Sequence, residues 1–114
     1  MNTLYGIKNC DTVKKARDWL TSNDIAYSFH DFRADGLDKA QVESWIAEIG
    51  LENLVNKRST TWKELAENLK QNFNEQNAIA LIAEYPTLIK RPLLATDKQK
   101  HVGFKEAEYK KIFS

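Results

Sequence analysis

LYGIKNCDTVKK, residues 4–15, changes its apolar period half-way along. Thr3 to Ile7 is a short run that suits a buried strand of mixed polarity. Asp11 and Thr12 are helix-starting residues, because their side-chain oxygens accept from the unpaired N–H groups of a first turn. The stretch therefore reads as strand, tight loop, helix, with Cys10 at the junction of loop and helix. A thiol there faces free backbone N–H groups and the positive end of the helix dipole. Both favour the thiolate, which is the nucleophilic form. Lys8, Lys14 and Lys15 add positive charge nearby, and Asp11 opposes it. The plainer alternative makes Cys10 a small core residue, as most lone intracellular cysteines are.

Working outward, Val13, Ala16 and Leu20 recur at spacings of three and four, an apolar helical stripe that Ser22–Asn23–Asp24 should stop. Ile25, Tyr27 and Phe29 then alternate over 25–30 as a strand does. Strand, helix and strand within about 30 residues form a βαβ unit with parallel strands and a right-handed crossover. Residues 31–36 read as a polar connector, and the pattern from 38 to 85 is helical. Asp38 suits an N-cap, Val42, Trp45, Ile46 and Ile49 follow at helical spacing, and Gly50 is a natural stop. Thr61 suits the cap of a further helix, with Trp62, Leu65, Ala66 and Leu69 as its stripe and Glu64 placed as in a capping box. Asn68 to Asn77 reads as linker, and Ala78 to Tyr85 as a short helix ended by Pro86.

A strand is expected near 93–95, begun by Pro92, which cannot donate inside a ladder. Residues 96–100 make a polar turn, 101–104 a second strand, and Lys105 to Phe113 a closing helix with Tyr109, Ile112 and Phe113 inward. The order is β-α-β, helices, β-β-α. That is an α/β layout, a thioredoxin-like four-stranded sheet carrying a helical insertion at about 38–85. With 114 residues, one domain over 1–114 is the expectation.

Composition narrows the function. The net charge of +1 carries no nucleic-acid footprint, which needs a strongly basic face. A single cysteine excludes an internal disulfide and suits a reducing compartment. No charged segment followed by a long apolar run opens the chain, and no stretch nears 18 consecutive apolar residues. The expectation is a cytoplasmic protein, monomeric, without nucleic-acid or membrane partners. His30 and His101 are far apart in sequence and no close His/Cys/Asp/Glu spacing accompanies them, so no metal site is expected. Trp19, Trp45 and Trp62 lie on helical stripes and suit the core.

Two further places draw attention. Asn56–Lys57–Arg58–Ser59–Thr60–Thr61 is dense in donors, and a guanidinium fork there suits an oxyanion or carboxylate. The alternative is a solvated surface loop. Arg91 stands directly before Pro92 at the mouth of a strand. Only about 5–6% of X–Pro bonds are cis in folded proteins, so sequence alone makes Pro92 trans.

YGIKNCDTVKKARDWL, NKRSTTWKEL, EYPTLIKRPLL and VGF together resemble the arsenate-reductase-like ArsC family of thioredoxin-fold proteins, and within it the YffB-type subgroup. The resemblance covers essentially the whole chain. It implies a glutaredoxin-like sheet with an inserted helical subdomain. It implies that Cys10 is the nucleophile, that Arg58 and Arg91 lie over the active site, and that Pro92 is a cis-proline opposite the cysteine. With one cysteine the resolving thiol must come from elsewhere, so the expectation is a monothiol reductase with glutathione as co-substrate, an oxidised substrate of unknown identity and no bound cofactor. Lys8, Asn9 and Thr12 are expected in the binding site beside Arg58, Arg91 and Pro92. True arsenate reductases carry a third arginine about a dozen residues after Arg91. Here that region reads His101–Val102–Gly103–Phe104–Lys105, so efficient arsenate reduction is not expected. The Spx-type regulators resemble this chain around LIKRPLL and VGF but carry Cys-x-x-Cys, where this chain has Val13. The alternative function is accordingly a non-catalytic, Spx-like adaptor that binds a protein partner such as RNA polymerase.

Overall fold

Leu4 sits at the centre of a row of side chains that crosses four strands. The computed structural model describes residues 2–114. Strand β1 (Thr3–Gly6) is followed by helix α1 (Asp11–Ser22) and strand β2 (Ser28–Asp31). Strands β3 (Leu93–Ala95) and β4 (Lys100–Val102) and helix α8 (Glu106–Ile112) come from the far end of the chain. The strand order is β2-β1-β3-β4, with β1 parallel to β2 and the other two pairs antiparallel. Register sets Phe29, Leu4, Leu94 and His101 side by side. Strand side chains alternate between faces, so this row shares one face. Leu4 and Leu94 there join Ala16 and Leu20 of α1 and Tyr109 of α8 in one buried cluster, bordered by Trp19, Phe29, Phe104 and Phe113.

The apolar stripe expected for α1 is what the helix buries: Val13, Ala16 and Leu20 have no exposed surface. Its start differs from expectation. Neither Asp11 nor Thr12 caps it; Cys10 itself is the N-cap, in extended conformation, with no side-chain cap hydrogen bond. Asn23 and Asp24 end the helix as expected, Asp24 taking the left-handed conformation (φ 55°) that its short polar side chain tolerates. Ordered strand pairing in β2 begins only at Ser28, so Ile25–Tyr27 is a connector whose apolar side chains still pack on the core.

The chain forms two compact units, one built from its two ends (through Asp31, and from Arg91 onward) and one contiguous, Phe32–Lys90. The second unit is helical. The stretch read as a polar connector is helix α2 (Phe32–Asp35), because Phe32 is buried with its ring 6.4 Å from that of Trp45. Helix α3 (Lys39–Ile49) is capped by Asp38, which accepts from the Ala40 N–H, and ends at Gly50, φ 91°. Helices α4 (Leu51–Leu54), α5 (Thr60–Glu64), α6 (Glu67–Gln71) and α7 (Glu75–Glu84) follow, then a 3-10 turn, Pro86–Leu88. The stretch read as linker, 68–77, is therefore largely helix. Asn74 caps α7 by accepting from the Asn77 N–H, which starts that helix three residues before Ala78. Among the described residues no helix is long and apolar enough to cross a membrane.

Candidate functional site: a thiol at the start of a helix

Gly6 decides how closely α1 approaches the sheet. A Cβ built on it would lie 2.7 Å from Val13 Cγ2, inside contact distance, so only glycine lets the first turn of α1 rest on β1. Lys8 and Asn9 form an exposed turn, and the Cys10 carbonyl accepts the Lys14 N–H as the helix begins. Cys10 is a free thiol, partly exposed. Partial exposure at the N-cap separates Cys10 from the buried cysteine that was the plainer alternative, and places the residue beside the first turn of α1, whose N–H groups lack helical partners. Thr12 is exposed in that turn.

The strand beside β1 brings a second group close. Tyr5 pairs with Leu93 as the last pair of this antiparallel ladder, so Arg91 and Pro92 come just before β3 at the end of the sheet where β1 runs on through Gly6. Pro92 is fully buried and its peptide bond with Arg91 is cis, as the resemblance implies and against the sequence-only expectation of trans. The Pro92 carbonyl accepts the Gly103 N–H at 2.9 Å, which ties the turn after β4 to the mouth of β3. Arg91 is half-buried. Both residues thus belong to the end of the sheet from which the chain runs on to Cys10.

Arg58 lies in the helical unit and is exposed. Asn56 Oδ1 accepts the Arg58 N–H, and Ser59, not Thr61, caps α5 by accepting from the Trp62 N–H. Lys57 lies over the Trp62 ring at 5.4 Å. The donor-rich loop is thus a built turn with its Arg58 side chain toward solvent.

One arrangement had no counterpart in the sequence reading. The Arg17 guanidinium stacks on the Phe29 ring at 4.2 Å, and its Nε donates to the Tyr27 hydroxyl at 3.1 Å. A depression lined by Lys14, Arg17, Asp18, Thr21 and Tyr27 opens there on α1. Only the pairing of β2 with β1 brings Tyr27 and Phe29 to Arg17, so no local spacing announces it.

Residues 5–112 match the sequence pattern of the ArsC family. This chain belongs to the ArsC family. An uncharacterised protein of Haemophilus influenzae is 47% identical over 114 residues, covering the whole of both chains. A solved YffB protein superposes with a TM-score of 0.95 at 41% identity, again over the full length of both. Global transcriptional regulator Spx 1 of Bacillus cereus is 29% identical over 98% of this chain and 86% of its own. The four-stranded mixed sheet and its helices are those of this ArsC group.

Proposed function

We propose that this ArsC-family chain is a glutathione-dependent monothiol reductase with Cys10 as nucleophile. The observation that carries the reading is the partly exposed Cys10 N-cap, which follows the strand paired with β3, and cis-Pro92, which directly precedes β3. The Cys10 thiolate attacks one sulfur of an oxidised substrate's disulfide. The Cys10–sulfur bond forms as the substrate bond breaks, and the leaving thiolate takes the electron pair and then a proton from water. This is the only cysteine in the chain, so the resolving thiol comes from solution. A glutathione thiolate supplied by a cytoplasmic pool displaces Cys10 and restores it. Arg91, Arg58, Lys8, Asn9 and Thr12 are the donors assigned to the glutathione carboxylates and backbone, with Pro92 as the wall opposite the sulfur. The region after Arg91 holds Lys105 and no arginine, so arsenate, which needs several convergent donors, is turned over weakly at best.

Mass spectrometry after brief treatment with glutathione disulfide is the test. One glutathionyl group on the wild type and none on Cys10→Ser is the expected result, with release of the group by added glutathione. Arg91→Ala should lower glutathionylation about tenfold, and Arg91→Lys should recover only part, because a point charge does not replace the fork. An unmodified Cys10 would overturn the reading. It would favour the second one, a protein-binding adaptor, which the Spx likeness supports and which the missing Cys-x-x-Cys weakens.

A further inference from the structure

We infer that the depression at Lys14, Arg17, Thr21 and Tyr27 is a carboxylate subsite that reads the group bound to the Cys10 sulfur and makes acidic disulfides the preferred substrates. The inference rests on the disulfide-exchange reading above. At 100° per residue, positions 14, 17 and 21 of a helix fall within about 60° of one another. They form one stripe of α1 beside the buried stripe of Val13, Ala16 and Leu20, and the Lys14 N–H donates to the Cys10 carbonyl, so Cys10 stands one turn before Lys14 at the head of α1. Arg17 lies about 10 Å along the axis from Cys10. The γ-glutamyl carboxylate of glutathione stands eight bonds from the sulfur, roughly 10 Å when extended. An extended glutathionyl group on Cys10 thus matches the axial separation in length.

The recognition chemistry is set by what holds Arg17. Stacking on Phe29 and the bond from Nε to Tyr27 fix the guanidinium plane before any ligand arrives. One of its five N–H donors is used, and four remain for an anion. Among the described residues no carboxylate pairs with it. Lys14 and Arg17 bring two positive charges and Asp18, on the rim, one negative. The net single positive charge there favours an anion such as a carboxylate.

The test compares the rate of Cys10 mixed-disulfide formation with glutathione disulfide and with hydroxyethyl disulfide, which has no carboxylate, at fixed pH and low salt. In each exchange the Cys10–sulfur bond forms, the reagent's S–S bond breaks, and one thiolate leaves and is protonated. Arg17→Gln is expected to slow the glutathione reaction about fivefold and to leave the hydroxyethyl reaction unchanged. Lys14→Gln, whose side chain is exposed and so spares the fold, should slow the acidic reagent alone by about twofold. Tyr27→Phe, which frees the guanidinium, should fall between wild type and Arg17→Gln. Equal slowing of both reagents, or of neither, would overturn the subsite while leaving the reductase reading intact. Failure of the wild type to react with either reagent would instead remove the reductase reading, and the subsite with it.

Discussion

Tyr109 is fully enclosed, yet its hydroxyl has no hydrogen-bond partner among the described residues. Its ring makes edge contacts with Phe104 at 4.7 Å and Trp19 at 5.6 Å, so the aromatic body anchors α8 while the oxygen gains nothing. A buried hydroxyl left unpaired costs about 1–3 kcal/mol. Tyr109→Phe keeps the ring and is expected to hold or raise the urea midpoint; a marked fall would show that the oxygen has a partner. Burial also pushes the phenol above its ordinary pKa. The neutral form is thus favoured in the folded state, and its contribution is intact below about pH 10, where the unfolded phenol ionises. Stability then falls as pH climbs from there through the raised folded value. Comparing urea midpoints between pH 9 and 11, Tyr109→Phe should lose less than wild type. This group was legible as inward-facing from its place in the last helix, but the state of its oxygen was not, because satisfaction depends on neighbours from other elements.

The strand–turn–helix element around Cys10 stands on the close approach of Gly6 to Val13. Gly6→Ala forces a methyl within 2.7 Å of Val13 Cγ2 and should cost about 1–3 kcal/mol, seen as a lower urea midpoint. The same shift moves the first turn of α1, so iodoacetamide labelling of Cys10 should change rate. Adding Val13→Ala removes the opposing methyls and should restore the labelling rate; an unrestored rate would mean that Gly6 acts through its backbone alone. Elements with a continuous apolar stripe were legible in the sequence, α1 and α3 above all. Others were hidden by competition among similar groups. Ser59, Thr60 and Thr61 offer three adjacent hydroxyls, and local pattern cannot choose between them. Tertiary structure does: Thr61 Oγ1 sits 2.6 Å from Thr87 Oγ1, which leaves Ser59 to cap α5. The asparagines of 68–77 look like linker by propensity. Asn72 and Asn77 instead donate to the Asn68 and Asn72 carbonyls, and these bonds offset the low propensity. Of the candidate site, Cys10 at the junction was legible because it is local. The setting of Arg17 needed residues ten and twelve positions away, joined by the sheet.

Across the whole molecule, the sheet unit takes its two halves from the ends of the chain, with residues 32–90 between them. Leu4 is paired through Leu94, and Tyr109 closes the same cluster. Ending the chain after Lys90 removes β3, β4 and α8, and with them Leu94 and Tyr109. The shortened protein should bind the dye ANS and lose cooperative unfolding in its β1–α1–β2 portion, followed by hydrogen exchange of β1 amides. Protected β1 amides in that fragment would show that the parallel pair stands without β3. The same arrangement has a meaning on the ribosome. At roughly 5–20 residues per second, the helical stretch takes about 3–12 s to synthesise. For that interval the first strand has emerged with one edge bare, and the strand that covers it does not yet exist. The nascent chain is most open to chaperones, and to pairing with a neighbouring copy, before residues 91–114 are made.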